Sequence, residues 1–150
     1  MDKIFCKKGN EVTLISFSKA NHVTKFELNT LKKNIKIYYF NNPSNIFKTL
    51  IYLINDNYSL VHIHYLGWHS LLSIFINSSS KLIITPWGSD LSKEINFFKK
   101  IWLRFLFLKS HFLICDSERL AKRSIHFGMN KKNILISMFG VDTNIYKKSR

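Results

Sequence analysis

Short apolar runs alternate with amphipathic stretches along the chain. Glu11 to Phe17 and Ile35 to Phe40 carry the β-branched and aromatic content of strands. Pro43-Ser44 then predicts a helix start with Ser44 as N-cap, because Phe47, Leu50, Ile51 and Ile54 follow at helical spacing. Leu60 to His64 reads as the next strand, Trp68 to Ile76 as a helix, and Lys81 to Thr85 as a strand closed by Pro86. Beyond a polar turn, Phe97 to Lys109 has the pattern of a helix and His111 to Cys115 that of a strand. Ser117 is placed to cap a helix running to about Phe127, where Gly128 offers a left-handed stop. Asn133 to Ser137 is the last expected strand.

Strands separated by helix-length segments are the mark of βαβ units. The expected fold is therefore α/β and Rossmann-like, a mainly parallel sheet with helices on both faces. No internal repeat and no low-complexity linker interrupts it. Ligands of open α/β sheets bind beyond the carboxyl ends of the strands, and the unusual residues gather there. Tyr65, Gly67, Trp68 and His69 follow one strand, and Trp87, Gly88, Ser89 and Asp90 the next. Asp116, Ser117 and Glu118 follow a third, and Phe139, Gly140, Val141 and Asp142 a fourth.

The chain has 150 residues, 46% of them apolar and 15% aromatic, which is enough for a real core and too much for a disordered chain. That length suits one ordinary domain or half of a two-domain enzyme. Cys6 and Cys115 are too far apart in sequence to suggest a disulfide framework, so a reducing compartment is expected. No apolar run reaches the roughly 18–20 residues needed to span a bilayer, and residues 1–9 lack the apolar segment of a signal peptide. The expected location is cytoplasmic, with a peripheral place on the inner membrane face as an extension. The net charge is +14, from 23 basic against 9 acidic residues. Nineteen of the basic residues are Lys, a bias that an AT-rich genome also produces, so the charge by itself points weakly to any partner.

Thr85-Pro86-Trp87-Gly88-Ser89-Asp90 is the most informative stretch. Gly88 lets the backbone turn sharply, and Ser89 with Asp90 forms an acceptor pair for sugar hydroxyls or, alternatively, a helix cap. In order along the chain come Val61-His62-Ile63-His64-Tyr65, the Trp-Gly-Ser-Asp turn, Ile114-Cys115-Asp116-Ser117-Glu118 and Phe139-Gly140-Val141-Asp142-Thr143. This series resembles the N-terminal, acceptor-side domain of family-4-like retaining glycosyltransferases of the GT-B fold, over residues 10–148. The resemblance implies transfer of a sugar, hexosyltransferase-type, from a nucleotide-sugar to a glycan or lipid-linked acceptor. It implies a cleft lined by His64, Tyr65, Trp87, Gly88, Ser89 and Asp90, with Ser117, Glu118, Gly140 and Asp142 further along the rim. Trp87 stands where many members carry His, and Phe139 where the commoner form has Asn.

Lys7 to Ile15 resembles the start of the second strand in such enzymes, so the domain is expected to be incomplete upstream. The C-terminal nucleotide-sugar-binding domain is likewise expected to be absent, so that this half binds no cofactor, needs a donor-binding domain or partner chain, and is inactive alone. His62 and His64 alternate along a strand and are expected not to face one site. His64, nearer the strand end, is the better site candidate, and a structural role stays open for both. No ligand spacing suggests a metal cage, no Ser-His-Asp or Cys-His arrangement is supported, and Cys115 is expected to be inert core.

Lys93, Lys99, Lys100, Arg104 and Lys109 are interleaved with the large apolar residues of 97–108. That pattern is either a core-packing helix with a solvated Lys fringe or a face for anionic headgroups, with Lys99, Lys100, Arg104 and Lys109 as the membrane-facing candidates. The alternative function is accordingly a non-catalytic basic module that holds membrane or a partner chain. Nucleic-acid binding ranks last, since no recognised nucleic-acid-binding pattern is present.

Overall fold

The computed structural model describes residues 11–16, 35–39, 57–91 and 95–138, together with Phe47, Leu50, Ile51, Leu53 and Ile54. Cys6, Pro43, Ser44 and the segment Phe139 to Asp142, with Gly140 and Asp142 of the expected rim, lie outside these residues. The chain forms two compact units, Met1–Asn55 and Asp56–Arg150. In the first, β1 (Val12–Ser16) pairs in parallel with β2 (Ile35–Tyr39), Val12 opposite Ile35 and Ser16 opposite Tyr39. The five residues of 47–54 named above are helical, as their spacing predicts. Leu53 is the buried one, whereas Phe47, Ile51 and Ile54 are exposed.

The second unit is built on four parallel strands in the order β3 (Leu60–His64), β4 (Lys81–Thr85), β5 (Phe112–Cys115) and β6 (Ile134–Ile136). Helix α1 (Phe97–Lys109) connects β4 to β5, and α2 (Glu118–His126) connects β5 to β6. The expected α/β class with a mainly parallel sheet is present. Each crossover steps one strand in the same direction, and right-handed connections of that kind lie on one face of the sheet. A helical layer on the second face is not found among the described residues of this unit.

Burial follows that asymmetry. Leu82 and Ile84 of β4 and Leu113 and Cys115 of β5 share one face and are fully buried. Leu103, Leu106 and Phe107 of α1 and Leu120 and Ala121 of α2 complete the core. The opposite face carries His62, Ile83 and Ile114, half-buried, and Phe112 and Leu135, exposed.

The ends of the helices have local causes. The Asn96 side chain accepts from the Lys99 N–H at 2.8 Å and starts α1. At the end of α2, the Gly128 N–H donates to the Ile125 carbonyl and the Met129 N–H to the Ser124 carbonyl. That pair of bonds is a Schellman stop, and Gly128 adopts the positive φ, 107°, that it requires.

The helix expected over Trp68 to Ile76 is present over Trp68–Phe75 and winds as a 3-10 helix. Its buried positions, Ser70 and Ser73, continue to buried Ile76 at a spacing of three, which matches 3.0 residues per turn. Lys109 secures its end: Nζ donates to the carbonyls of Ser73 at 2.6 Å, Ile74 at 3.2 Å and Ile76 at 3.3 Å. Burial pulls the Lys109 ammonium below its usual range. Lys109 is thus spent inside the fold, which corrects its place among the membrane-facing residues. Among the described residues, no helix is long and apolar enough to cross a membrane.

Phe107 is fully buried and stacks on Phe127 with ring centroids 6.0 Å apart. Phe107→Ala is expected to cost about 3–5 kcal/mol, read as a lower urea midpoint at an unchanged slope.

Candidate functional site

The carboxyl ends of β3 and β4 lie side by side, with His64 opposite Thr85. One carboxylate joins the turns that follow. Asp90 is 1% exposed. Its Oδ2 accepts the Leu66 N–H at 2.9 Å, its Oδ1 accepts the Gly88 N–H at 2.9 Å, and the Trp87 N–H lies 3.1 Å from both oxygens. Bonds to an ionised acceptor are the strong kind, so Asp90 closes its own turn and ties it to the turn after β3. The expected acceptor pair is therefore split. Ser89 is exposed, whereas both oxygens of Asp90 are taken up by backbone.

The same tie dictates unusual backbone. Gly88 has φ 98°, and a Cβ there would meet nothing within 4 Å, so conformation rather than crowding calls for glycine. Tyr65 has φ 66°, uncommon for a residue with a bulky side chain. Its N–H donates to the Thr85 carbonyl at 3.0 Å while the next N–H, that of Leu66, is held by Asp90. Strained backbone of this kind persists only where its surroundings over-determine it.

The result is an aromatic rim. The Tyr65 ring stacks on His69 with centroids 6.4 Å apart, and Trp68 meets His69 edge-on at 6.2 Å. The His69 Nε2 donates to the His64 carbonyl at 3.2 Å. A Cβ on Gly67 would lie 3.1 Å from the His69 ring and 3.2 Å from the Tyr65 ring, so glycine leaves both rings room. Tyr65, Trp68 and Trp87 are exposed, Trp87 by 56%. Beneath the rim, Ser70 Oγ donates to the Gly67 carbonyl at 2.6 Å and accepts from the Trp102 indole at 3.0 Å, which anchors the turn to α1.

The two strand histidines correct an expectation. Residues two apart on a strand point to the same face, and the His62 and His64 rings lie 4.0 Å apart by centroid. His62 shares a 2.7 Å hydrogen bond with the Thr85 hydroxyl, Nε2 to Oγ1, and so belongs to the support of the site, while His64 is exposed at the strand end.

Ser117 and Glu118 follow β5 at the same sheet edge. Ser117 occupies the N-cap of α2 without a side-chain cap bond, and exposed Glu118 stands 4.0 Å from exposed Lys122. The Cys115 thiol donates to the Ser117 carbonyl at 3.5 Å, and burial pushes its pKa up, with Asp116 adding in the same direction. Among the described residues, no group of three His, Cys, Asp or Glu side chains is arranged to hold a metal ion.

Sequence reasoning missed Leu66, which contributes only a backbone N–H and so leaves no side-chain signal. It also missed the pairing of His62 with Thr85, which needs the strand register. No protein-family model matches the chain, and no curated protein matches it.

Asp90→Ala leaves three backbone N–H groups without their acceptor, and a loss of about 2–4 kcal/mol is expected against under about 0.5 for Ser89→Ala, measured by urea unfolding. With its pKa raised, Cys115 holds less thiolate than an exposed thiol at neutral pH. In a Cys6→Ser background, alkylation by iodoacetamide is expected to be at least about tenfold slower in the native chain than in urea at the same pH.

Proposed function

We propose that the chain is the acceptor-side domain of a GT-B glycosyltransferase. One observation carries the reading: the Asp90 carboxylate holds two turns together at the carboxyl edge of a parallel sheet, where ligands of such sheets bind. The rim so formed offers ring faces and hydroxyls, from Tyr65, Trp87 and Ser89, with the Asp90 charge turned inward. That chemistry suits a sugar, whose apolar C–H face packs on an aromatic ring while its hydroxyls find polar partners.

In the reaction, an acceptor hydroxyl attacks the anomeric carbon of a nucleotide-sugar. The bond from that carbon to the diphosphate breaks, the diphosphate leaves with the electron pair, and the hydroxyl proton is released. Gly88 and Ser89 line the acceptor side, with His64, Tyr65 and Trp87 beside them. In enzymes of this kind a second domain holds the nucleotide, and the rate comes from positioning and from stabilising the leaving diphosphate. This half by itself is expected to bind acceptor and to lack transfer activity.

The three tryptophans make the test direct. Nitrogen-15 indole spectra are recorded while oligosaccharides or a nucleotide-sugar are added. A saturable shift of Trp87, with Trp102 little moved because its indole is bonded to Ser70, is the expected response to a glycan. Trp87→Ala is expected to weaken that binding roughly three- to tenfold. A saturable response to nucleotide-sugar with none to any glycan would overturn the assignment.

A further inference from the structure

Helix α1 has two unlike sides. Leu103, Leu106 and Phe107 face the core, while Phe97, Phe98, Ile101, Phe105 and Leu108 are exposed, Phe98 by 81% and Leu108 by 64%. At about 100° per residue these five form one continuous strip along the helix. Lys100 and Arg104, both exposed, border it on one side. Lys99 projects from the half-buried side, so of the four expected membrane-facing residues only Lys100 and Arg104 flank the strip. Thirteen residues place that strip along about 20 Å of helix.

Lys100 also lines a cleft of about 390 Å³ between the start of α1 and the end of α2. Lys122, Arg123 and His126 line it too, over a floor of Ile95 and Phe127. Among the described residues, exposed Glu118 stands 4.0 Å from Lys122. A cationic cleft thus opens beside an apolar strip, and the two meet at Lys100. Each alone has an ordinary explanation in a Lys-rich chain. Together they match the two chemistries of an anionic phospholipid, whose phosphate sits directly against its acyl layer.

We infer that α1 docks in the plane of an anionic membrane, with its apolar strip at the acyl boundary and one phospholipid phosphate in the cleft of Lys100, Lys122, Arg123 and His126. The inference is independent of the glycosyltransferase reading, since it rests on none of the aromatic rim residues Tyr65, Trp68 and Trp87. Binding to a surface this way needs both attractions at once, and each is too weak to hold the chain alone.

The test is flotation of the full chain with vesicles of phosphatidylcholine, with and without about 30% phosphatidylglycerol, at about 0.1 and 0.5 M salt. Binding is expected only with the anionic lipid and weakens as salt rises. Phe98→Ser with Phe105→Ser is expected to lower binding at least about tenfold, as is Lys100→Glu with Lys122→Glu. Lys81→Glu with Lys131→Glu changes the net charge equally at positions away from the cleft and is expected to leave binding within about twofold. All six positions are exposed, and urea unfolding checks that each variant keeps its fold. Equal loss in the two charge variants would reduce the effect to net charge and overturn the inference. So would anionic binding that survives Phe98→Ser with Phe105→Ser, or equal binding to neutral vesicles. Saturable binding of inorganic phosphate without vesicle binding would make the cleft a site for free anions and overturn the lipid assignment.

Discussion

The local architecture of the site depends on one buried carboxylate. Asp90 would be costly in a dry interior without partners, and three backbone N–H groups supply them. Because those donors come from two turns, satisfying the charge also sets where the turns stand. The positive φ of Gly88 and of Tyr65 are accommodations to this arrangement. A carboxylate used in this way works as scaffold, and the surface chemistry falls to the rings and hydroxyls that the scaffold displays.

The sheet of the second unit is asymmetric for a topological reason. Strand order that follows chain order sends all three crossovers to one side, and the core forms there from Leu82, Ile84, Leu113 and Cys115 with the buried faces of α1 and α2. The other side keeps polar residues such as His62, His64 and Thr85 near the strand ends. The Thr85 side chain is fully buried and His62 half-buried, so their hydrogen bond gives the hydroxyl the partner that water does not supply.

Lys109 and Lys100 show how the same residue type on one helix takes opposite roles. Lys109 lies over the end of a 3-10 segment, where its ammonium donates to the carbonyls of Ser73, Ile74 and Ile76, the first of which also accepts the Ile76 N–H. Lys100 stands on the far side of α1, against α2, where cations from two helices converge on one cleft. Rotation around the helix axis, rather than residue type, separates a structural clamp from a surface charge.

Much of the fold was legible in the residues. The bounds of β3, β4 and α1 follow from apolar periodicity and from Pro86, and Gly128 marks the stop of α2 because little else accepts its backbone conformation. The gathering of unusual residues at strand ends was also readable, since a parallel α/β pattern places those turns at one edge. Three features were decided only by tertiary structure. Whether Trp68–Phe75 winds as α or 3-10 depends on which positions are buried and on the clamp of Lys109, 33 to 36 residues further along the chain than the carbonyls it holds. Whether Asp90 faces a ligand or the interior depends on the Leu66 N–H, which carries no sequence signature. The direction of each cation on α1 depends on what packs against the helix. Local propensity and periodicity settle elements because they act between near neighbours, whereas the partners of a charge or a hydroxyl come from wherever the chain returns.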